Sequence, residues 1–477
     1  MNQLHLQHLL WRTGFGPAST SWKKWEGIPE KNWWNQVKEY SAGEPEPLEI
    51  TDNAVQGLLM GIGEAGRNQR RDLNPDQKKQ IREKSREDTK SLNIMWLDKM
   101  VHSKAQLREK MSLFWHGHFA SRNLNILYEQ QLLDIIRTNA LGNFRDLLKA
   151  VSKSAAMLAF LNNQQNKKQH PNENFAREVM ELFTLGRGHY TENDIKEAAR
   201  AFTGWGFRLN GEFVFKQRDH DDLSKTVLGK SGNFDGEDVL DILLEQRQTA
   251  RFIARKIYRF MVNDDLIPEE RIGWLGDRFY DSGYKIITLL DDIVQSPWFF
   301  DEVNTGNKIK SPIELWAGIR RALPLEMENP ESQLIIQKIL GQMLFNPPNV
   351  AGWPGGKAWI DSSSLMIRLR LPQLVAWQGD LDVRTKTDDD AQMGRMNENR
   401  GIQKKLAATV DWSAVSDLFG SIPSEQMMSQ MARYLWQSPG INPPETILEK
   451  YTDHSSPEKQ MKTTFIQLMA TPEYQLS

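Results

Sequence analysis

The segment Asn172-Glu173-Asn174-Phe175-Ala176-Arg177-Glu178-Val179-Met180-Glu181-Leu182-Phe183 carries the densest candidate chemistry in the chain. Wound at about 100° per residue, it places Phe175, Val179, Leu182 and Phe183 on one helix face and Asn174, Glu178 and Glu181 on a second. Leu185 falls between the two glutamates, so Glu178 sits at the edge of the apolar face. A carboxylate there is desolvated and its pKa rises unless a cation pairs with it. Arg177 reaches Glu173 four residues back and Glu181 four residues on. The structural reading is a helix held by its own ion pairs. The functional reading makes Glu178 an acid/base group or a ligand, with Glu181 in support and Arg177 facing the substrate.

Two carboxylates three residues apart lie about 5–6 Å apart at Cβ, superficially the spacing of a retaining glycosidase. Such a pair must approach a sugar from opposite sides, and one helix face offers only one. The second carboxylate would have to come from elsewhere, with Asp221 or Asp222 as candidates.

Histidines supply the remaining candidates. His116 and His118 bracket Gly117. If the helix continues, they point about 200° apart and cannot share a metal ion; if Gly117 ends it, both face one site. His220 stands beside Asp221 in Asp219-His220-Asp221-Asp222, either a base or ligand or part of a solvated loop. His189 follows the acidic helix closely enough to approach Glu181. Standard catalytic signatures are missing: no G-x-S-x-G elbow, no H-E-x-x-H helix and no E-x-x-H di-iron motif. Gly229-Lys230-Ser231 lacks the earlier glycine of a phosphate loop, because Ser224 stands there.

The elements that must position these groups are mostly helices. Met111, Phe114, Trp115 and His118 follow helical spacing, and Thr191 with Asp194 forms a capping-box start. Further helices are expected near 235–245, 248–262, 268–280 and 287–295, and after Ser311-Pro312. One β signal interrupts them: Asn210-Gly211 between Phe207-Arg208-Leu209 and Glu212-Phe213-Val214-Phe215 suits a tight hairpin. The loop Asn346 to Lys357 is rich in Pro and Gly; the charged stretch near 53–104 reads as a solvated helix face or a mobile excursion, and the one near 380–399 as a surface excursion. The fold class is therefore mainly α, a large compact multi-helix domain with a small β-hairpin near residues 207–215. At about 150 residues per domain, 477 residues suggest roughly three domains. The patterning instead favours residues 1–375 as one helical domain, with 376–477 adding a polar excursion and C-terminal helices on the same unit.

Composition narrows the function classes. With 60 basic against 62 acidic residues, the chain has no global attraction for nucleic acid or anionic lipid. No apolar run approaches the roughly 18 residues of a membrane span, and the mean hydropathy is -0.58. With 0 Cys there is no disulfide scaffold, thiol nucleophile or thiolate-bound metal. Met1 to Leu6 carry no export-signal pattern, which points to the cytoplasm. The 16 Trp stand out; Trp11, Trp115 and Trp205 suit the core, whereas Trp353 and Trp359 fall in the Pro/Gly-rich region.

Taken together, Leu9 to Gly16 (LWRTGFG after Leu9), Phe114 to Phe119 (FWHGHF), Asn172 to Trp205, His220-Asp221, Lys310 to Glu314 (KSPIE) and Pro347 to Trp359 resemble the bacterial DUF1800 family over about the first 375 residues. The resemblance implies no established catalytic residues. It implies association with sulfatase-like DUF1501 proteins that carry export signals, and hence co-export to the periplasm.

Two readings compete. In the first, a cleft gathers Glu178, Glu181, His220 and Asp221 for hydrolytic or acid/base chemistry on a polar substrate, a glycan being the narrower guess. Arg177, Trp353 and Trp359 would bind that substrate, and His116 and His118 would hold a divalent metal. In the second, the chain is a non-enzymatic helical partner or assembly factor for a sulfatase-like protein. Convergence of the histidines with Glu178 in one pocket would favour the enzyme, and dispersal the scaffold.

Overall fold

The computed structural model describes residues 2–50, 75–123, 125–208, 210–377, 380–383, 402–406, 408–438 and 445–477, and most of them are helical. The elements around the candidate residues are α1 (Gln3–Arg12), α2 (Pro75–His102), α3 (Gln106–His118), α4 (Ile126–Asn139) and α5 (Asn174–Glu178). A π-helix, Val179–Thr184, continues α5 without a break. Then come α6 (Glu192–Ala201), the hairpin β1 (Trp205–Phe207) and β2 (Phe213–Phe215), α7 (Arg247–Met261), α8 (Pro312–Ala322) and α9 (Pro457–Met469).

Local chemistry sets most helix starts. Thr191 and Asp194 form the expected capping box of α6, and Ser311 with Glu314 forms another, with Pro312 in the first turn of α8. Asp235 and Asp238 cap the helix Gly236–Glu245 in the same way. The Asn210-Gly211 turn closes the hairpin, pairing Trp205 with Phe215 and Phe207 with Phe213; Gly211 supplies the positive φ of 86°.

Two expectations are corrected. The charged stretch near 53–104 is helical in its second half, as one of the two readings has it, but not merely solvated: α2 buries Leu92, Trp96, Leu97 and Met100 completely. Its apolar positions are diluted by charges, with Glu83, Lys84, Arg86 and Glu87 exposed, which masks the periodicity; residues 51–74 lie outside the described residues. The hairpin is not the sole β-structure, because Lys225–Val227 pairs with Lys230–Gly232, Leu325–Met327 with Ala408–Val410, and Asp380–Val383 with Ile402–Lys405. Strands of three or four residues are too short to register as an alternating pattern. Residues 384–400, most of the second polar excursion, lie outside the described residues.

The C-terminal helices rest on the N-terminal ones. Trp22 meets Tyr434 edge-on at 5.1 Å, and the Lys310 ammonium lies 3.6 Å from the Trp11 ring and donates to the Tyr474 carbonyl. Trp11, Trp115 and Trp205 are buried as expected. Several indoles have the N–H partner that burial demands: Trp96 on Glu109, Trp115 on the Ala140 carbonyl and Trp316 on Gln333.

Candidate functional site

The acidic segment does not stay α-helical. After Glu178 the backbone shifts to i→i+5 bonding, with Leu185 N–H on the Met180 carbonyl at 2.9 Å and the Thr184 hydroxyl on the Val179 carbonyl at 2.7 Å. Such π-turns are rare and concentrate at functional sites. The shift also disturbs the 100° face assignment beyond residue 179. The Asn172 side chain accepts from Asn174 N–H and steadies the entry.

On the outer side, Glu178 is half-buried and makes no hydrogen bond or ion pair with a described residue. Burial, then the charge of Glu181, pushes its carboxyl above the ordinary range, against the pull of Arg177 and Arg187. Glu181 is firmly bound, to Arg187 and to the Tyr190 hydroxyl at 2.8 Å. Burial pushes its pKa up, but these two bonds outweigh that and hold it below the usual carboxylate range. Arg177 does not pair with Glu181; it forks onto Glu192 with two bonds of 2.8 Å and lies 3.5 Å from Glu173. His189 is exposed, and its neighbour Tyr190 takes the place beside Glu181. One turn before Glu178, Asn174 helps line an open polar depression of about 640 Å³ with Gln165, His170, Pro171, Asn172 and Glu173.

The inner side meets α3 and α7. Lys256 on α7 donates to the Leu182 carbonyl at 3.2 Å and to His118 Nδ1 at 3.0 Å. His118 Nε2 faces the Phe183 carbonyl at 3.3 Å. A carbonyl only accepts, so Nε2 carries the proton and Nδ1 is the acceptor. This neutral tautomer fits the surroundings: burial, then Lys256, pushes the imidazole well below its ordinary range. Burial, then Arg259, lowers Lys256 to about 8. Lys256 was not singled out in the sequence, where Arg255-Lys256 looks like any charged helix edge.

The helix α3 continues through Gly117, so the two histidines part. His116 Nε2 accepts from Phe345 N–H at 3.2 Å, and its ring packs against Trp96, Phe345 and Trp353 with centroids 5.1, 5.0 and 5.5 Å away. Burial lowers its pKa to about 3. The geometry therefore does not join His116 and His118 around one ion, and no group of three or more His, Asp or Glu among the described residues is placed to hold one.

His220 and Asp221 are anchored elsewhere. His220 Nδ1 lies 3.0 Å from the Thr203 carbonyl, and its ring meets Phe215 edge-on at 5.1 Å. Asp221 accepts from Arg200 at 2.7 and 3.2 Å and from Leu223 N–H at 2.9 Å. Burial pushes its pKa up, and Arg200 outweighs that to hold it down. These bonds tie the hairpin exit to α6 and do not reach Glu178. Asp222 is exposed and bound by Gln217. Trp359 is buried, 8% exposed, and only Trp353 remains half-open.

The remaining signature segments form a buried knot. Lys110 on α3 binds Glu314 and the Trp11 carbonyl, while Arg12 donates to Asn304, Asn307 and the Ser477 carbonyl. These polar residues are explained by packing. No curated protein and no solved structure matches the chain. The model of a family described as a protein of unknown function, DUF1800, matches residues 8–476, well past the first 375 residues that carry the resemblance. The chain belongs to the DUF1800 family.

Proposed function

We propose that the protein is an enzyme performing acid/base chemistry on a polar substrate at the outer side of the π-helix, with Glu178 transferring the proton. The supporting observation is that Glu178 stays half-buried and unpaired within the described residues while its neighbours Arg177 and Glu181 are bound. Groups with raised pKa held without a partner are common where protons move. The depression beginning at Asn174 offers hydrogen-bonding groups for a polar ligand, and a glycan is the narrower form of this reading. Activity screening against polar esters and glycosides, comparing wild type with Glu178→Gln, tests it. Full turnover by the variant would end the proposal.

A second reading is favoured by a different observation. His116, His118 and His220 are buried and bound to backbone groups in three separate settings, as in a scaffold. The chain would then serve as a helical partner or assembly factor for a sulfatase-like DUF1501 protein, co-exported with it; alone, it would remain in the cytoplasm. Co-expression followed by size-exclusion chromatography and fractionation tests this, and lack of a stable complex would count against it.

A further inference from the structure

On the inner side of the same π-helix, we infer that Lys256 is a nucleophilic amine paired with His118 as its base, a site for a carbonyl compound with a flat apolar body. The arrangement has the parts that nucleophilic catalysis requires. The nucleophile lies 3.0 Å from the base, His118 Nδ1. The base is oriented from its other nitrogen by the Phe183 carbonyl at 3.3 Å. The Leu182 carbonyl, 3.2 Å from Nζ, aims the amine. Both carbonyls belong to the last turn of the π-helix, where helix carbonyls lack partners of their own, and they face α3 and α7.

The surroundings select the ligand. From α7 itself Lys256 meets the Phe252 ring at 4.9 Å and feels the charge of Arg259; from α3 it meets His118, with Phe114 stacked at 6.1 Å beyond. No carboxylate is among these groups, and among the described residues no salt bridge holds Lys256 as an ammonium. Half-buried, it lies at the edge of the core and not sealed within it.

The step balances without a redox partner. The neutral amine adds to the carbonyl carbon of an aldehyde, forming the C–N bond, while one N–H proton passes to His118 Nδ1. The carbonyl oxygen collects that proton and a second from nitrogen and leaves as water, giving a neutral imine. His118 ends as it began.

The inference does not rest on Glu178. Treat the full chain with benzaldehyde and cyanoborohydride at pH 7, and follow each lysine by peptide mass spectrometry. Lys357, whose side chain is 81% exposed, serves as the internal reference. Lys256 is expected to be alkylated about tenfold faster than Lys357, since an ordinary lysine is almost wholly protonated at that pH and only Lys256 has a proton acceptor, His118 Nδ1, 3.0 Å away. His118→Gln should remove most of that advantage while Lys357 is unchanged. Labelling of Lys256 no faster than Lys357 in the wild type overturns the inference without any variant having to fold. An advantage that persists in a folded His118→Gln protein overturns the base role.

Discussion

The α-carbon of Gly352 is seated against the carbonyl oxygen of Gly117: a β-carbon built on Gly352 would lie 2.4 Å from that oxygen, and its φ is +83°. This contact seats the Pro/Gly-rich loop on the end of α3 and brings Trp353 over His116. Gly352→Ala combines a steric clash with a left-handed backbone that only glycine adopts freely. A loss of about 2–4 kcal/mol in urea unfolding is expected. An unchanged midpoint would mean that the loop is not held there.

The Lys110–Glu314 pair sets part of the acid sensitivity. Burial pushes Glu314 up, but Lys110 and the Ser311 N–H outweigh it and hold the carboxyl down from 4.5 to about 2. A carboxyl lowered on folding stabilises above its unfolded pKa, and that contribution fades as pH falls from 4.5 toward 2. Glu314→Gln leaves Lys110 buried without its counter-charge, costing about 3–5 kcal/mol at neutral pH. The variant's stability should also change less between those pH values, which chemical denaturation at a pH series measures.

Glu178 has the opposite sign. Its carboxyl is raised on folding, so ionisation opposes the folded state above the unfolded pKa and is harmless below it. Glu178→Gln should therefore melt slightly above wild type at pH 7, with the gap closing near about pH 4. Calorimetry decides; a variant that melts lower at pH 7 would indicate a stabilising bond at Glu178.

The two loop tryptophans separate. Trp359 is 8% exposed, and Trp359→Ala should cost about 3–5 kcal/mol as a cavity mutation. Trp353 is half-buried on His116, so Trp353→Ala should cost less and relax the His116 ring, visible in its NMR shifts. If Trp353 is the sugar platform of the narrower glycan reading, its removal abolishes ligand-induced fluorescence change while leaving the fold intact.

Periodicity, caps and turn residues determined much of the architecture before any coordinates. Ser311-Pro312, Thr191 with Asp194, and Asn210-Gly211 are local signals whose bonds close within a few residues, so α8, α6 and the hairpin were legible. The same locality made Glu178 recognisable as a carboxylate at an apolar edge. Tertiary structure decided what these residues meet. Lys256 reaches His118 across 138 residues of chain, and Lys110 reaches Glu314 across 204, and no spacing rule encodes such encounters. The π-helix is likewise invisible in the spacing, since a local 3.6-residue pattern continues straight through Val179–Thr184. Whether a polar residue becomes a site or a structural tie follows from desolvation and the partner that the packed helices supply. His116, His118 and His220 look alike in sequence, yet they differ in the neighbours that packing placed beside them.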